Sequence, residues 1–211
     1  MSARCVWAVR EIEESADTTL PTILATLPDT WQRYVVEVKL PMARLQRAMV
    51  AELLRHVLAQ HQLCADVQGI GHLDNGLPFL PDYPNLSVSI SHCRRAVAVA
   101  VAGGTRVGID VESPRKLSPV LINRVLSEDE RRSLAGSDHF NKDFLLLWTR
   151  KEAALKCCGT GIKGFDSLVN IEQTFAGRWE QLTLLPTDVV GHLAVDQQWA
   201  ECHNAMCGQN N

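Results

Sequence analysis

No run of apolar residues in the 211-residue chain approaches the roughly 20 needed to cross a bilayer as a helix, which argues against a helical membrane span. A secretory leader is lacking too. Met1 to Glu14 carries Arg4, Arg10, Glu11, Glu13 and Glu14, so the expectation is a cytoplasmic protein with no membrane partner. Paired cysteine spacing is also missing: Cys5, Cys64, Cys93, Cys157, Cys158, Cys202 and Cys207 are scattered without a CxxC and read as reduced, partly buried thiols. Cys202, His203 and Cys207 lack a fourth metal ligand in register. An excess of one sign of charge is lacking as well, with 21 Lys and Arg against 24 Asp and Glu. A net charge of -3 creates no field that favours nucleic acid, so local basic groups must hold any anionic ligand. There is no short-period repeat and no low-complexity tract. What is present, 46% hydrophobic and 21% charged residues, suffices for a core in one domain or two small ones.

From Pro41 to Gln60, Met42, Leu45, Met49, Leu53, Leu54, Val57 and Leu58 recur at three-to-four spacing, an amphipathic helix whose other side carries Arg44, Arg47 and Arg55. Met1 to Leu27 mixes β-like stretches with a helix start. NGLPFLPDYP, within 74–85, is a surface loop of turns. In Leu86 to His92, Ser87, Ser89 and Ser91 alternate with Val88 and Ile90, the pattern of a half-buried strand. Arg95 to Ala102 alternates valine with alanine, Gly103-Gly104 forms a turn, and Thr105 to Glu112 alternates again, which predicts an antiparallel hairpin. In its second arm Val107, Ile109 and Val111 face one way and Gly108, Asp110 and Glu112 the other. Helices follow from about Pro119, renewed by the capping-box pattern Ser127 to Glu130, and from about Asn141 to Cys158, ended by Gly159. Ser167 to Cys207 reads as short strands, such as Leu193 to Trp199, with long loops. Hairpins interleaved with helices, without repeated βαβ order, predict an α+β fold.

Two carboxylates at i and i+2 on one strand face are costly. Like charges ~4 Å apart repel by about 4 kcal/mol at an effective dielectric near 20. A divalent cation removes that cost, and magnesium is characteristically held by one or two carboxylates plus substrate phosphates. On the late helix, Trp148, Glu152 and Lys156 form one stripe with Lys151 on its edge. Glu152 and Lys156 also have the spacing of an ordinary helix-stabilising pair. Groups suited to phosphate are Arg44 or Arg47, Ser91, His92, Lys151 and Lys156. Cys93 beside His92 does not make a nucleophile pair, because neighbours on a strand point to opposite faces.

VGIDVE (Val107 to Glu112) and WTRKEAALK (Trp148 to Lys156) together resemble the two signature motifs of the 4'-phosphopantetheinyl transferase superfamily, in its surfactin-type (Sfp-like) class. Glu152 lies 40 residues beyond Glu112, as in that family. SISHC (Ser89 to Cys93) resembles the family's serine-histidine segment and NGLPFLP (Asn75 to Pro81) its glycine-lysine-proline loop, the likeness running from about Arg47 to Gly161. The resemblance implies two pseudo-symmetric halves, 1–103 with coenzyme A nucleotide contacts and 104–211 with the magnesium site and carrier docking, the site lying at their junction in a monomer. It implies transfer of the 4'-phosphopantetheine group of coenzyme A to a serine of an apo acyl or peptidyl carrier protein. Asp110, Glu112 and Glu152 would hold magnesium. Glu152 would take the serine proton and Lys156 would hold a phosphate oxygen. Arg47, Ser91, His92 and Lys151 would contact coenzyme A. Arg115, Lys116, Arg124, Arg131 and Arg132, a basic excess between the motifs, are expected to dock the carrier. The chain departs from the family at Leu77, where lysine is usual, and at Cys93, where serine is common; of Arg33, Lys39, Arg44 and Arg47, only Arg47 falls in good register for the 3'-phosphate. Two other readings use the same residues: a magnesium-dependent phosphohydrolase of coenzyme A or nucleotides, and a non-catalytic module that binds coenzyme A or a carrier.

Overall fold

The computed structural model describes residues 4–12, 16–60, 62, 67, 69–160, 168–196 and 202–204. The chain runs through strand β1 (Arg4–Glu11) and helices α1 (Ala16–Thr26), α2 (Asp29–Val36) and α3 (Pro41–Gln60). The apolar stripe of α3 is buried from Leu45 to Leu58, while Met42 in its first turn stays exposed. β2 (Gly71–His72), just before the expected surface loop, and β3 (Pro78–Phe79), inside it, form a minimal antiparallel pair. Then come β4 (Leu86–His92), β5 (Ala96–Gly103) and β6 (Val107–Glu112).

Helices α4 (Pro119–Val125) and α5 (Glu128–Leu134) follow, with Ser118 capping the first and a reciprocal Ser127–Glu130 capping box starting the second. Helix α6 (Phe140–Cys158) ends at Gly159, whose φ of 78° is the left-handed conformation that closes many helices. Short α7 (Ile171–Thr174) leads to β7 (Arg178–Gln181), β8 (Val190–Val195) and β9 (Cys202–Asn204). The expected strand Leu193 to Trp199 is β8, shifted toward the N-terminus; residues 197–199, the side chains of Cys202 and His203, and Cys207 lie outside what is described.

One sheet has the order β4-β5-β1-β9 and another β6-β8-β7. All pairings are antiparallel except β1 with β9. The fold is thus α+β, as expected. The hairpin between β5 and β6 is not formed. Both edges of β5 are already taken, by β4 and β1, so Gly103-Gly104 hands the chain from one sheet to the other instead of folding it back. The true hairpin is β4–β5, joined through Cys93, Arg94 and Arg95.

Alternation in β5 serves two cores at once. Val97, Val99 and Val101 pack with α3 and its neighbours, whereas Ala96, Ala98, Ala100 and Ala102 pack with Val107, Ile109, Val111 and Leu193 of the second sheet. The layers therefore run helices, sheet, sheet, helix, with α6 on the far face of the second sheet. Small alanine side chains let the two sheets approach closely, and the site lies where that approach meets α6.

Candidate active site

Strand β6 is the edge of its sheet, so the N–H groups of Val107, Ile109 and Val111 turn away from β8. They are not left bare. The hydroxyls of Ser87, Ser89 and Ser91 on β4 accept them at 3.1, 3.0 and 3.2 Å, a ladder of side-chain oxygens sewing one sheet's face to the other's edge. The serine face of this strand is therefore buried at Ser89 and Ser91.

On its other side β6 lies directly against α6. A Cβ at Gly108 would sit 1.9 Å from the Ala153 carbonyl oxygen and 2.6 Å from the Cys157 nitrogen, so only glycine permits the contact. That contact carries the stripe Trp148, Glu152 and Lys156 to the acidic face of β6. Lys156 Nζ donates to Asp110 Oδ1 at 2.7 Å and to the Ile109 carbonyl at 3.0 Å, in place of the simple helical pairing with Glu152. Ser91 Oγ donates to the same Asp110 oxygen at 2.8 Å. Trp148 Nε1 and Arg115 Nη2 each donate to Glu112 Oε1 at 3.1 Å.

The electrostatics follow from this crowding. Burial, followed by the Asp110 charge, pushes the Glu112 carboxyl up to about 7, against the pull of Arg115 and the Trp148 hydrogen bond. Burial and then Asp110 also lift Glu152 to about 7, with Lys156 opposing and Glu112 adding. Asp110 Oδ2 and Glu152 Oε1 are buried with no hydrogen-bond partner. Bare, desolvated carboxylate oxygens under mutual repulsion suit a hard divalent cation with oxygen ligands. As placed, no three His, Cys, Asp or Glu side chains among the described residues form a group able to enclose a metal ion. A shared ion therefore needs these side chains to adjust around it, with phosphate or water filling the remaining positions.

Arg47 and His92 line one cavity of about 350 Å³ together with Tyr34, Gln46, His72 and Gly76. The Arg47 guanidinium lies 4.4 Å from the centre of the Tyr34 ring and donates to the Tyr34 carbonyl at 2.8 Å. His92 is held below its usual value, chiefly by burial and then by Lys156, and so favours the neutral ring. A smaller cavity of about 130 Å³, lined by Gly76, Leu77, Ser89, Ile90, Glu152 and Lys156, shares Gly76, Pro78 and Ile90 with the first. One trough thus leads from Arg47 to Glu152.

Of the expected coenzyme A contacts, one is placed elsewhere and another is engaged within the site. Lys151 is fully buried and points to the α4–α5 junction, where it donates to the Val125 carbonyl at 2.8 Å and to Glu130 Oε2 at 2.7 Å. It lies one position from Glu152, a turn of about 100° round the helix, and that rotation carries it off the site. Ser91 is buried and engaged with Asp110 and Val111. Trp148 was given no role in the sequence and Arg115 was expected only at the carrier surface, yet both donate to Glu112; the position of Trp148 one turn before Glu152 was the available signal. Cys93 is buried and its thiol is raised chiefly by that burial, consistent with an unreactive sulfur.

Residues 106–199, a span that contains both motifs, match the family model described as the 4'-phosphopantetheinyl transferase superfamily. The chain is 32% identical over 114 residues to "4'-phosphopantetheinyl transferase ffp" of Bacillus subtilis, 52% of this chain and 50% of that protein. It is 31% identical over 113 residues to "4'-phosphopantetheinyl transferase Sfp" of Bacillus subtilis (strain 168), again 52% and 50%. With "4'-phosphopantetheinyl transferase psf-1" of Bacillus pumilus it shares 29% identity over 126 residues, 56% of this chain and 52% of that one. The chain spans about half the length of the curated relatives it matches. No helix among the described residues is long and apolar enough to cross a membrane.

Proposed function

We propose that this protein transfers the 4'-phosphopantetheine group of coenzyme A to a serine of an apo acyl or peptidyl carrier protein, releasing adenosine 3',5'-bisphosphate. The observation that carries this reading is the meeting of β6 and α6, where Lys156 bonds Asp110, Glu152 and Lys156 line the trough, and one oxygen each of Asp110 and Glu152 is buried without a partner. The superfamily likeness supports it.

In this reading residues 1–103 and 104–211 are two halves, each a sheet with a packed helix, and the trough at their junction takes coenzyme A. Arg47 and His92 contact its nucleotide end. Asp110, Glu112 and Glu152 hold magnesium, which when bound supplies Lewis acidity at the pyrophosphate and offsets the charge of the departing bisphosphate. Lys156 has three donors and uses two, so one N–H remains for a phosphate oxygen as charge builds. Glu152 also acts as the base. It takes the proton from the carrier serine as that oxygen bonds to the β-phosphorus and the bond to the bisphosphate breaks. The exposed Lys116, Arg124 and Arg132 present a basic surface to an acidic carrier.

The test is to incubate the protein with magnesium, coenzyme A and several apo-carriers and weigh the carriers by intact mass spectrometry. One phosphopantetheine added to a carrier, lost in Glu152→Gln while coenzyme A still binds, is the expected result. Free phosphopantetheine with unmodified carriers would make the protein a phosphohydrolase. Coenzyme A binding without product in the native protein would make it a binding module.

A further inference from the structure

The two donors on Asp110 share one oxygen. Ser91 Oγ at 2.8 Å and Lys156 Nζ at 2.7 Å both end on Oδ1, while Oδ2 is buried with no hydrogen-bond partner. A carboxylate rotates easily about its last bond and could otherwise offer one oxygen to each donor. Held this way, one oxygen is saturated and the other is left buried without a partner, as is Glu152 Oε1, whose carboxyl lies near enough for the Asp110 charge to raise it.

Ser91 is fixed for that task. Its hydroxyl accepts the Val111 N–H at 3.2 Å, and its single hydrogen is spent on Asp110. A hydroxyl has only one hydrogen to give, and this one is 6% exposed, so it has none for a phosphate. We propose that Ser91 is a positioning residue that aims Asp110 Oδ2 at a divalent cation, and not a coenzyme A contact. The proposal rests on the magnesium reading above and departs from the role that the family resemblance gives this serine. The ladder supplies its own control. Ser87 makes the same hydroxyl contact to a β6 N–H, that of Val107 at 3.1 Å, two rungs away from the carboxylate.

The experiment titrates Mn²⁺ into the full-length protein without coenzyme A, following free Mn²⁺ by electron paramagnetic resonance, and measures the KM for coenzyme A at saturating metal. Partners that orient metal ligands typically cost about 10–100-fold in affinity when removed. Ser91→Ala is expected to weaken Mn²⁺ by about 10-fold or more with the coenzyme A KM unchanged. Ser87→Ala is expected to match the wild type. Should Ser91→Ala not fold, Ser91→Cys keeps the volume with a weaker donor and is expected to shift Mn²⁺ in the same direction. Unchanged Mn²⁺ affinity in a folded Ser91 variant, or a raised coenzyme A KM with metal binding intact, overturns the proposal. A wild type that binds no Mn²⁺ overturns the magnesium reading itself, and the proposal with it.

Discussion

Replacing Gly108 with alanine should separate α6 from β6 and disable the site from beneath. The added Cβ would lie 1.9 Å from the Ala153 carbonyl oxygen, and real Cβ atoms essentially never approach closer than 3.0 Å, so about 1.1 Å of movement is required. The obstructing atoms are helix backbone, with the Cys157 nitrogen at 2.6 Å, and no side chain can swing aside. Overpacking of this kind costs about 1–3 kcal/mol, and rigid backbone on both sides puts this case near 3. For a chain of this size that lowers the melting temperature by roughly 6–12 °C. The activity loss should be larger than stability alone explains. A shift of that size breaks the 2.7 Å contact of Lys156 with Asp110, and misplacement by about 1 Å can cost ~100-fold in rate. Thermal melts and kcat for carrier modification should be compared with Gly136→Ala, where a Cβ meets nothing within 4 Å. Gly108→Ala with wild-type melting and kcat would refute the close-approach argument.

The raised carboxyls make a pH signature. Glu112 and Glu152 titrate near 7 folded and near the usual carboxylate value unfolded, so between about 4.5 and 7 the folded state binds more protons and their contribution to stability falls as pH rises. His192, pushed down to about 4 chiefly by burial, acts in the opposite sense over much of that window, so the measurement is the difference in melting temperature between wild type and Glu152→Gln without metal. The wild type should lose ground to the variant as pH rises from 5 to 7.5; a constant difference would sink the assignment. Lys151→Met should cost about 3 kcal/mol, the low end for breaking a buried ion pair because Glu130 is partly exposed, and should leave the coenzyme A KM unchanged. A raised KM would return Lys151 to the site.

Much of the local structure was legible. The stripe from Leu45 to Leu58, Pro41 at the start and Gly159 at the end of their helices, and the serine alternation of β4 all encode short-range geometry that a period or a cap expresses directly. Pairing was not legible in the same way. The Gly103-Gly104 turn and flanking alternation look alike whether β5 and β6 join or part, because alternation names faces and not neighbours. The wholly apolar run of β5 was the available clue, since a strand buried on both faces sits inside a sheet and spends both edges there. The acidic residues were readable because two carboxylates on one strand face are conspicuous. The direction of Lys151 was not, because its sequence offset leaves open which side of the helix meets the trough, and packing against α4–α5 decides it.

The serine ladder has a consequence for how molecules meet one another. Outer strands with open amide rows invite a foreign strand to extend the sheet, and many proteins guard such borders with charge or proline. Here hydroxyls from a different layer occupy three of those donors, so the strand carrying the acidic pair offers little foothold for accretion. The trough beside it can stay open without exposing a sticky border.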